Sequence, residues 1–321
     1  MRRITRRGRV RVLVVAAVLL AVACTAGRPS APGGGGSRGR RPFSADSPWN
    51  APIPADPVLD PATEHMAGYL AENGPAVAAL SEFGVPVYAA DASTPRYQID
   101  CRAPWGVCEL ARQPVPVPQG ARPAPGSDAA MVVVDWAGRR SYEFWEAERL
   151  PGGDWTAGWG GVVDVDGDGY EPGGTLPTGA GVPRLAGVVR TFELARGRIP
   201  HALVFSTDNA CWQDHRYPAT KTDGTSDRPD CIPEGARVQL DPGVDVAALP
   251  GIGPAERMVA VALQRYGAYA IDNGGAPMAI IFETPGGDRG TYARAGLSHD
   301  YTALAGIPWN RLRVLRRWDG G

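Results

Sequence analysis

The apolar positions of this chain fall mostly into short runs cut by glycine, proline and aspartate. VPVYAAD, RYQIDC, AAMVVVDW, RRSYEFWEA, GGVVDVD, HALVFST, ARVQL, YAID, MAIIFE and RLRVL each read as a strand. Two stretches show helical spacing instead. In PATEHMAGYLAENG, Asp60 supplies the cap, Pro61 the first position and Gly74 the stop. In PAERMVAVALQRYG, Pro254 opens the helix and Gly267 fits the left-handed position just past its end. Met258, Val259, Val261, Ala262 and Leu263 cover a broad face there, which predicts a mostly buried helix. The whole pattern predicts a mainly β fold, an antiparallel sandwich or jelly roll with two or three short helices. No repeat of useful period is visible, which argues against a propeller or solenoid.

The segment MVVVDWAGRRSYEFWE, Met131 to Glu146, predicts a hairpin turning at Ala137-Gly138. Side-chain parity then sorts its residues into two faces. Met131, Val133, Asp135, Arg140, Tyr142 and Phe144 share one. Val132, Val134, Trp136 and Arg139 share the other with Ser141, Glu143 and Trp145. An acid beside an indole is what a sugar cleft uses: the ring stacks on a pyranose and the carboxylate bonds hydroxyls or moves protons. The same pair also fits an ordinary strand with one packed tryptophan. Glu146 points the other way, so it is not paired with Glu143. Farther on, YAIDNGG predicts a second hairpin, with Asn273-Gly274 as the turn and MAIIFE returning. Parity groups Asp272 with Ala270 and Ala268.

Composition divides the chain lengthwise. A basic start runs into the apolar stretch Val12 to Ala23, too short for a stable membrane span, which predicts a signal peptide over 1–23. The sequence AVAC resembles a bacterial lipobox, which makes Cys24 the expected lipid anchor and the outer face of the cell membrane the expected location. Ordinary secretion is the alternative. Residues 24–46 are Gly-, Ser-, Pro- and Arg-rich and read as a flexible tether, leaving 47–321 as one large β-rich domain. A formal net charge of −1 gives no electrostatic case for a nucleic-acid partner. With Cys24 set aside, spacing suggests the disulfides Cys101–Cys108 and Cys211–Cys231, with two other pairings open.

Chemistry is sparser. Asp164, Asp166 and Asp168 before Gly169 match the opening of a calcium loop, but Thr175 stands where the bidentate Glu belongs. A looser calcium site on these aspartates is the metal candidate, and no other cofactor is called for. His201 opens a strand and is a candidate general base. Asp208, Asp214 and His215 match no standard metal spacing with it, and His65 and His299 rank lower. There is no GxSxG, HExxH, P-loop or strand-linked GxGxxG.

SYEFWEA, GWGG, LAGVVR, IPHALVFS, YPATKTDG, IPEGARVQL and LQRYGAYAIDNGG occur in this order from Asp135 onward. Together they resemble a group of uncharacterised exported bacterial lipoproteins in which an E-x-W strand and a Y-G-x4-D-N-G turn recur. Those proteins look like jelly-roll proteins that handle surface polysaccharide. The resemblance implies Glu143, Trp145, His201, Asp272 and Asn273 as site positions, and supplies no reaction.

Three functions fit these residues. A glycoside hydrolase would use Glu143 and Asp272 as its carboxylate pair. A polysaccharide lyase would use His201 or a tyrosine as base, with Arg139 neutralising a uronate. A glycan-binding or structural envelope lipoprotein would use the cleft without catalysis, or not at all.

Overall fold

The computed structural model describes residues 39–286 and 289–317. The expected signal peptide, the expected lipid anchor Cys24 and the expected tether up to residue 38 lie outside the described residues. In chain order the main strands are β1 (Val77–Ala79), β2 (Val87–Ala90), β3 (Met131–Asp135), β4 (Arg140–Trp145), β5 (Trp159–Asp164), β6 (Leu203–Thr207), β7 (Arg237–Leu240), β8 (Ala268–Asn273), β9 (Ala279–Ile281), β10 (Thr302–Ala303) and β11 (Leu312–Val314). The helices are α1 (Thr63–Glu72), α2 (Thr191–Arg196), α3 (Pro254–Arg265) and α4 (Arg289–Arg294). Seven strands form one sheet, ordered β10-β1-β9-β6-β8-β7-β11, and four form another, ordered β5-β4-β3-β2. The architecture is mainly β, a sandwich with a few short helices. Both sheets are mixed: β1 runs parallel to β9, β6 to β8, and β2 to β3.

Alternation along the strands builds the layers. Val132 and Val134 of β3 pack inward with Val204, Tyr269 and Ile281 of the larger sheet. Met131 and Val133 point outward into a separate cluster with Tyr142 and Phe144. The far side of the larger sheet carries Leu203, Phe205, Ala268 and Ala270 against α1 and α3. Each large side chain buried in these layers contributes about 1.5–3 kcal/mol.

The β3–β4 register is the one that parity predicts, with Val134 opposite Ser141 and Val132 opposite Glu143. Asp60 Oδ1 accepts the Ala62 amide at 2.8 Å ahead of α1. Gly267 ends α3 at φ +72° and donates to the Ala262 carbonyl at 3.0 Å. Val261 departs from the expected buried face: it is 47% exposed, because a step of about 100° per residue turns it away from Val259 and Leu263. Both disulfides form as the spacing suggests. Packing begins before Ser47, since Phe43 is buried and its amide donates to the Val165 carbonyl at 2.6 Å. No helix among the described residues is long and apolar enough to cross a membrane.

One expected hairpin does not form. β8 and β9 are not neighbours; β6 lies between them, parallel to β8 and antiparallel to β9. The Asn273-Gly274 turn therefore passes over the end of β6, where the Gly274 amide donates to the Thr207 carbonyl at 2.9 Å. Turn chemistry specifies that the chain reverses, and not which strand fills the gap.

Candidate functional site

Asp272 reaches its position through a β-bulge. β6 and β8 pair Phe205 with Ala270 and then Ser206 with Asp272, which leaves Ile271 as an extra residue. An extra residue breaks the alternation and re-aims the side chains beyond it. Ala268 and Ala270 thus face the helices, while Asp272 opens into a cleft of about 750 Å³ that Ile271 also lines.

The loop facing this strand is cut to fit. The Ala180 amide donates to the Ile271 carbonyl at 2.9 Å, and the Thr178 hydroxyl holds the turn by accepting the Val182 amide at 2.9 Å. The Gly179 amide then donates to Asp272 Oδ1 at 3.2 Å. A Cβ on Gly179 would lie 2.4 Å from Asp223 Oδ1 and 2.6 Å from Asp272 Oδ1. Only a residue without a side chain lets the two carboxylates close over this backbone.

Asp223 comes from another loop, and its Oδ1 accepts the Asn273 amide at 3.1 Å. Behind it lies Glu234, fully buried, whose Oε2 accepts the Asp223 amide at 3.2 Å and whose Oε1 has no hydrogen-bond partner. Carboxylate oxygens of Asp223, Glu234 and Asp272 lie within 4.8 Å of one another, close enough to share protons or a divalent cation. Burial pushes Glu234 up to about 9, helped by the charges of Asp223 and Asp272. Burial also pushes Asp272 up to about 7; the Arg184 guanidinium opposes this, while Asp223 and Asp128 reinforce it.

Aromatic rings line the same cleft. Trp105 stacks on Trp145 with centroids 5.3 Å apart and planes at 27°, and Trp159 tilts against Trp105 at 5.8 Å. Trp105 remains 61% exposed at the cleft mouth. Trp145 Nε1 donates to Asp128 at 3.3 Å, and Asp128 in turn meets the Arg184 guanidinium at 3.5 Å. The Arg184 Nη2 also donates to the Pro177 carbonyl at 2.5 Å, so this cation is held by the protein's own acceptors.

The remaining sequence candidates lie elsewhere. Glu143 does not line the cleft: it is fully buried, accepting from the Ser141 hydroxyl at 2.8 Å and the Arg184 amide at 2.5 Å. Burial raises it to about 7 against those bonds. The face it shares with Val132 and Val134 meets the other sheet rather than solvent, so its carboxyl fastens the 184–185 turn. Arg184 stands between the two acids that the sequence pairs, with its amide on Glu143 and its charge acting on Asp272.

His201 is also buried, 3.1 Å from Glu193 through Nε2 and 2.8 Å from the Ala202 carbonyl through Nδ1. Arg139 sits in the exposed hairpin turn, ion-paired to Asp166 at 2.8 Å. Asp166 also meets Arg40 at 2.6 Å, Asp164 meets Arg140 at 3.8 Å, and Asp168 accepts the Tyr170 amide at 3.0 Å. Arginines thus already engage two carboxylates of the Asp164, Asp166 and Asp168 loop. Among the described residues, the acids that converge tightly enough for one ion are those of the cleft. Trp145, Asp272 and Asn273 do line it.

Asp223 and Glu234 lie within the quoted segments YPATKTDG and IPEGARVQL but are not singled out there, and Asp128 and Trp105 carry no motif. Lys221, also in the lining, does carry a signal: it is the only lysine in the sequence. Comparison with protein-family models, curated proteins and solved structures finds no match to this chain.

Proposed function

We propose that the chain is an exported, lipid-anchored protein that hydrolyses a polysaccharide in this cleft. The observation that carries the reading is the pair Asp272 and Asp223, oxygens within 4.8 Å, in a cleft that stacked tryptophans also line. Hydrolysis with retention places its two carboxyl groups about 5–5.5 Å apart and inversion about 6.5–9.5 Å apart, so the short spacing favours retention. Asp272, with a proton held to about pH 7, is the general acid for the leaving oxygen. The exposed Asp223, oriented by the Asn273 amide, attacks the anomeric carbon. Asp272 then takes the proton from the water that releases the sugar. The indoles hold pyranose faces by stacking. Two disulfides in the folded body suit an oxidising, extracytoplasmic compartment.

The test is a polysaccharide panel incubated with the folded domain, following new reducing ends and unsaturated uronate absorbance separately. Reducing ends should appear without that absorbance. Asp272→Asn and Asp223→Asn should each lower kcat by about a thousandfold or more, as loss of an acid–base group or nucleophile does. The falling limb of kcat/KM against pH should lie near 7, where Asp272 loses its proton. Binding with no cleavage would select the non-catalytic glycan-binding reading. Unsaturated product would select a lyase.

A further inference from the structure

We propose that Lys221 is an anion-recognition residue, and that the glycan this cleft takes carries a negatively charged substituent, a uronate carboxylate or a phosphate ester. This rests on the reading of the cleft as a glycan site and does not depend on which bond is cut.

The first support is chemical. Every other basic side chain among the 33 is arginine, so this chain meets its ordinary needs for surface charge and ion pairing without lysine. A compact ammonium on a flexible stem differs from a planar guanidinium in hydration, reach and donor geometry. The single place where the chain uses one is the cleft wall.

The second support is geometric. Thr220 and Lys221 both donate their amides to the Ala180 carbonyl, at 2.9 and 3.4 Å, which fixes the lysine backbone to the same turn that presents Gly179. Its stem then lies against two neighbouring glycines. A Cβ on Gly181 would lie 3.0 Å from Lys221 Cγ, and one on Gly174 would lie 3.5 Å from Cδ. The stem is therefore packed on bare backbone that any side chain at these glycines would displace, and the residue is half-buried instead of extending freely into water.

The third support is charge accounting. Arg184 is already committed to Asp128 and Pro177. The Lys221 side chain has no hydrogen-bond or ion-pair partner among the described residues, although acids line the same cleft. A cation whose stem is packed on the cleft wall beside acids, yet paired with none of them, is available to a ligand. The exposed Asp223 carboxylate repels an anionic substituent, and Lys221 in the same lining is the cation that can offset it.

Because Lys221 is the only lysine, reductive methylation with labelled formaldehyde places one side-chain dimethylammonium signal in the carbon–proton spectrum, apart from the α-amine. Uronate-bearing oligosaccharides, their carboxyl-reduced counterparts and phosphate-bearing oligosaccharides are titrated against the labelled, folded Asp272→Asn domain, which binds without turnover. The proposal expects the charged ligands to move this signal and bind at least about tenfold more tightly than the reduced ones. The uronate and phosphate arms distinguish the two sources of charge.

In unlabelled protein, Lys221→Met should erase that preference while leaving affinity for the reduced ligand and the melting temperature unchanged. Lys221→Arg should restore part of it. Equal affinity for charged and reduced ligands, or a preference that survives in Lys221→Met, overturns the proposal. No movement of the signal with any charged ligand also overturns it. Cleavage of neutral glycans with no effect of Lys221→Met would overturn this inference and leave the hydrolase standing. Selective anion binding with no cleavage would do the reverse.

Discussion

Glu143 shows how one carboxyl can look functional in a sequence and be structural in the fold. Its strand neighbours and its partners, the Ser141 hydroxyl and the 184–185 amides, all belong to the inter-sheet layer. Its pKa rises from 4.5 to about 7, so the folded state prefers the protonated form. The stability it lends is full below pH 4.5 and is lost as pH rises through 7. Glu143→Gln keeps an acceptor and removes the titration. Melts of the two proteins should therefore diverge in favour of the variant between pH 4.5 and 7, by on the order of 3 kcal/mol, and run parallel above. Glu143→Ala should destabilise at every pH, because the Arg184 and Leu185 amides are left buried without an acceptor. Gly179 makes the complementary case. Its substitution by Ala inserts a methyl where two carboxylate oxygens meet, so activity should fall at least tenfold while circular dichroism and melting temperature hardly move.

At the scale of elements, periodicity and caps made part of the fold legible. The β3–β4 register came from period-two alternation, and α3 from Pro254 and Gly267. By contrast, α1 starts at Thr63 with Ala62 at its cap, so Asp60 and Pro61 form the turn ahead of it and not its first positions. The features that escaped depend on residues far apart in the chain. No local pattern says that β6 inserts between β8 and β9, or that Ile271 is one residue too many for its partner. Parity therefore misdirected Asp272 by one face. Asp223 and Glu234 meet it only because three separate segments converge, and Asp128 and Arg184 likewise come from loops. His201 fastens α2 to the start of β6, through a Glu193 that also accepts the Arg190 amide at the head of its own helix. Burial disfavours the charged ring, but the Glu193 carboxylate more than offsets it and the pKa ends above its usual 6.5. This stabilisation is complete below pH 6.5 and disappears as pH rises through the folded value. His201→Ala should accordingly cost roughly 3 kcal/mol near pH 6 and less near pH 9, read by thermal melts.

On the scale of the whole molecule, each disulfide fastens one side of the cleft. Cys101–Cys108 closes the loop that carries Trp105, and Cys211–Cys231 closes the loop that carries Lys221 and Asp223. Chain-entropy estimates put a bridge of the second size at about 3 kcal/mol, yet both loops lie outside the main sheets. Mild reduction should therefore weaken glycan binding and turnover before the sheets melt, a lag measurable as activity against far-ultraviolet signal during titration with dithiothreitol. The same enclosure has a consequence for proteolysis. A lysine-specific endoprotease has one bond to cut in the entire sequence, Lys221–Thr222, and Cys211 and Cys231 flank it on either side. The nicked protein would stay in one covalent piece and separate into two fragments only on a reducing gel. Because the scissile lysine is half-buried in the cleft wall, the rate of that single cut is a clock for how often the wall opens, and a bound glycan should slow it.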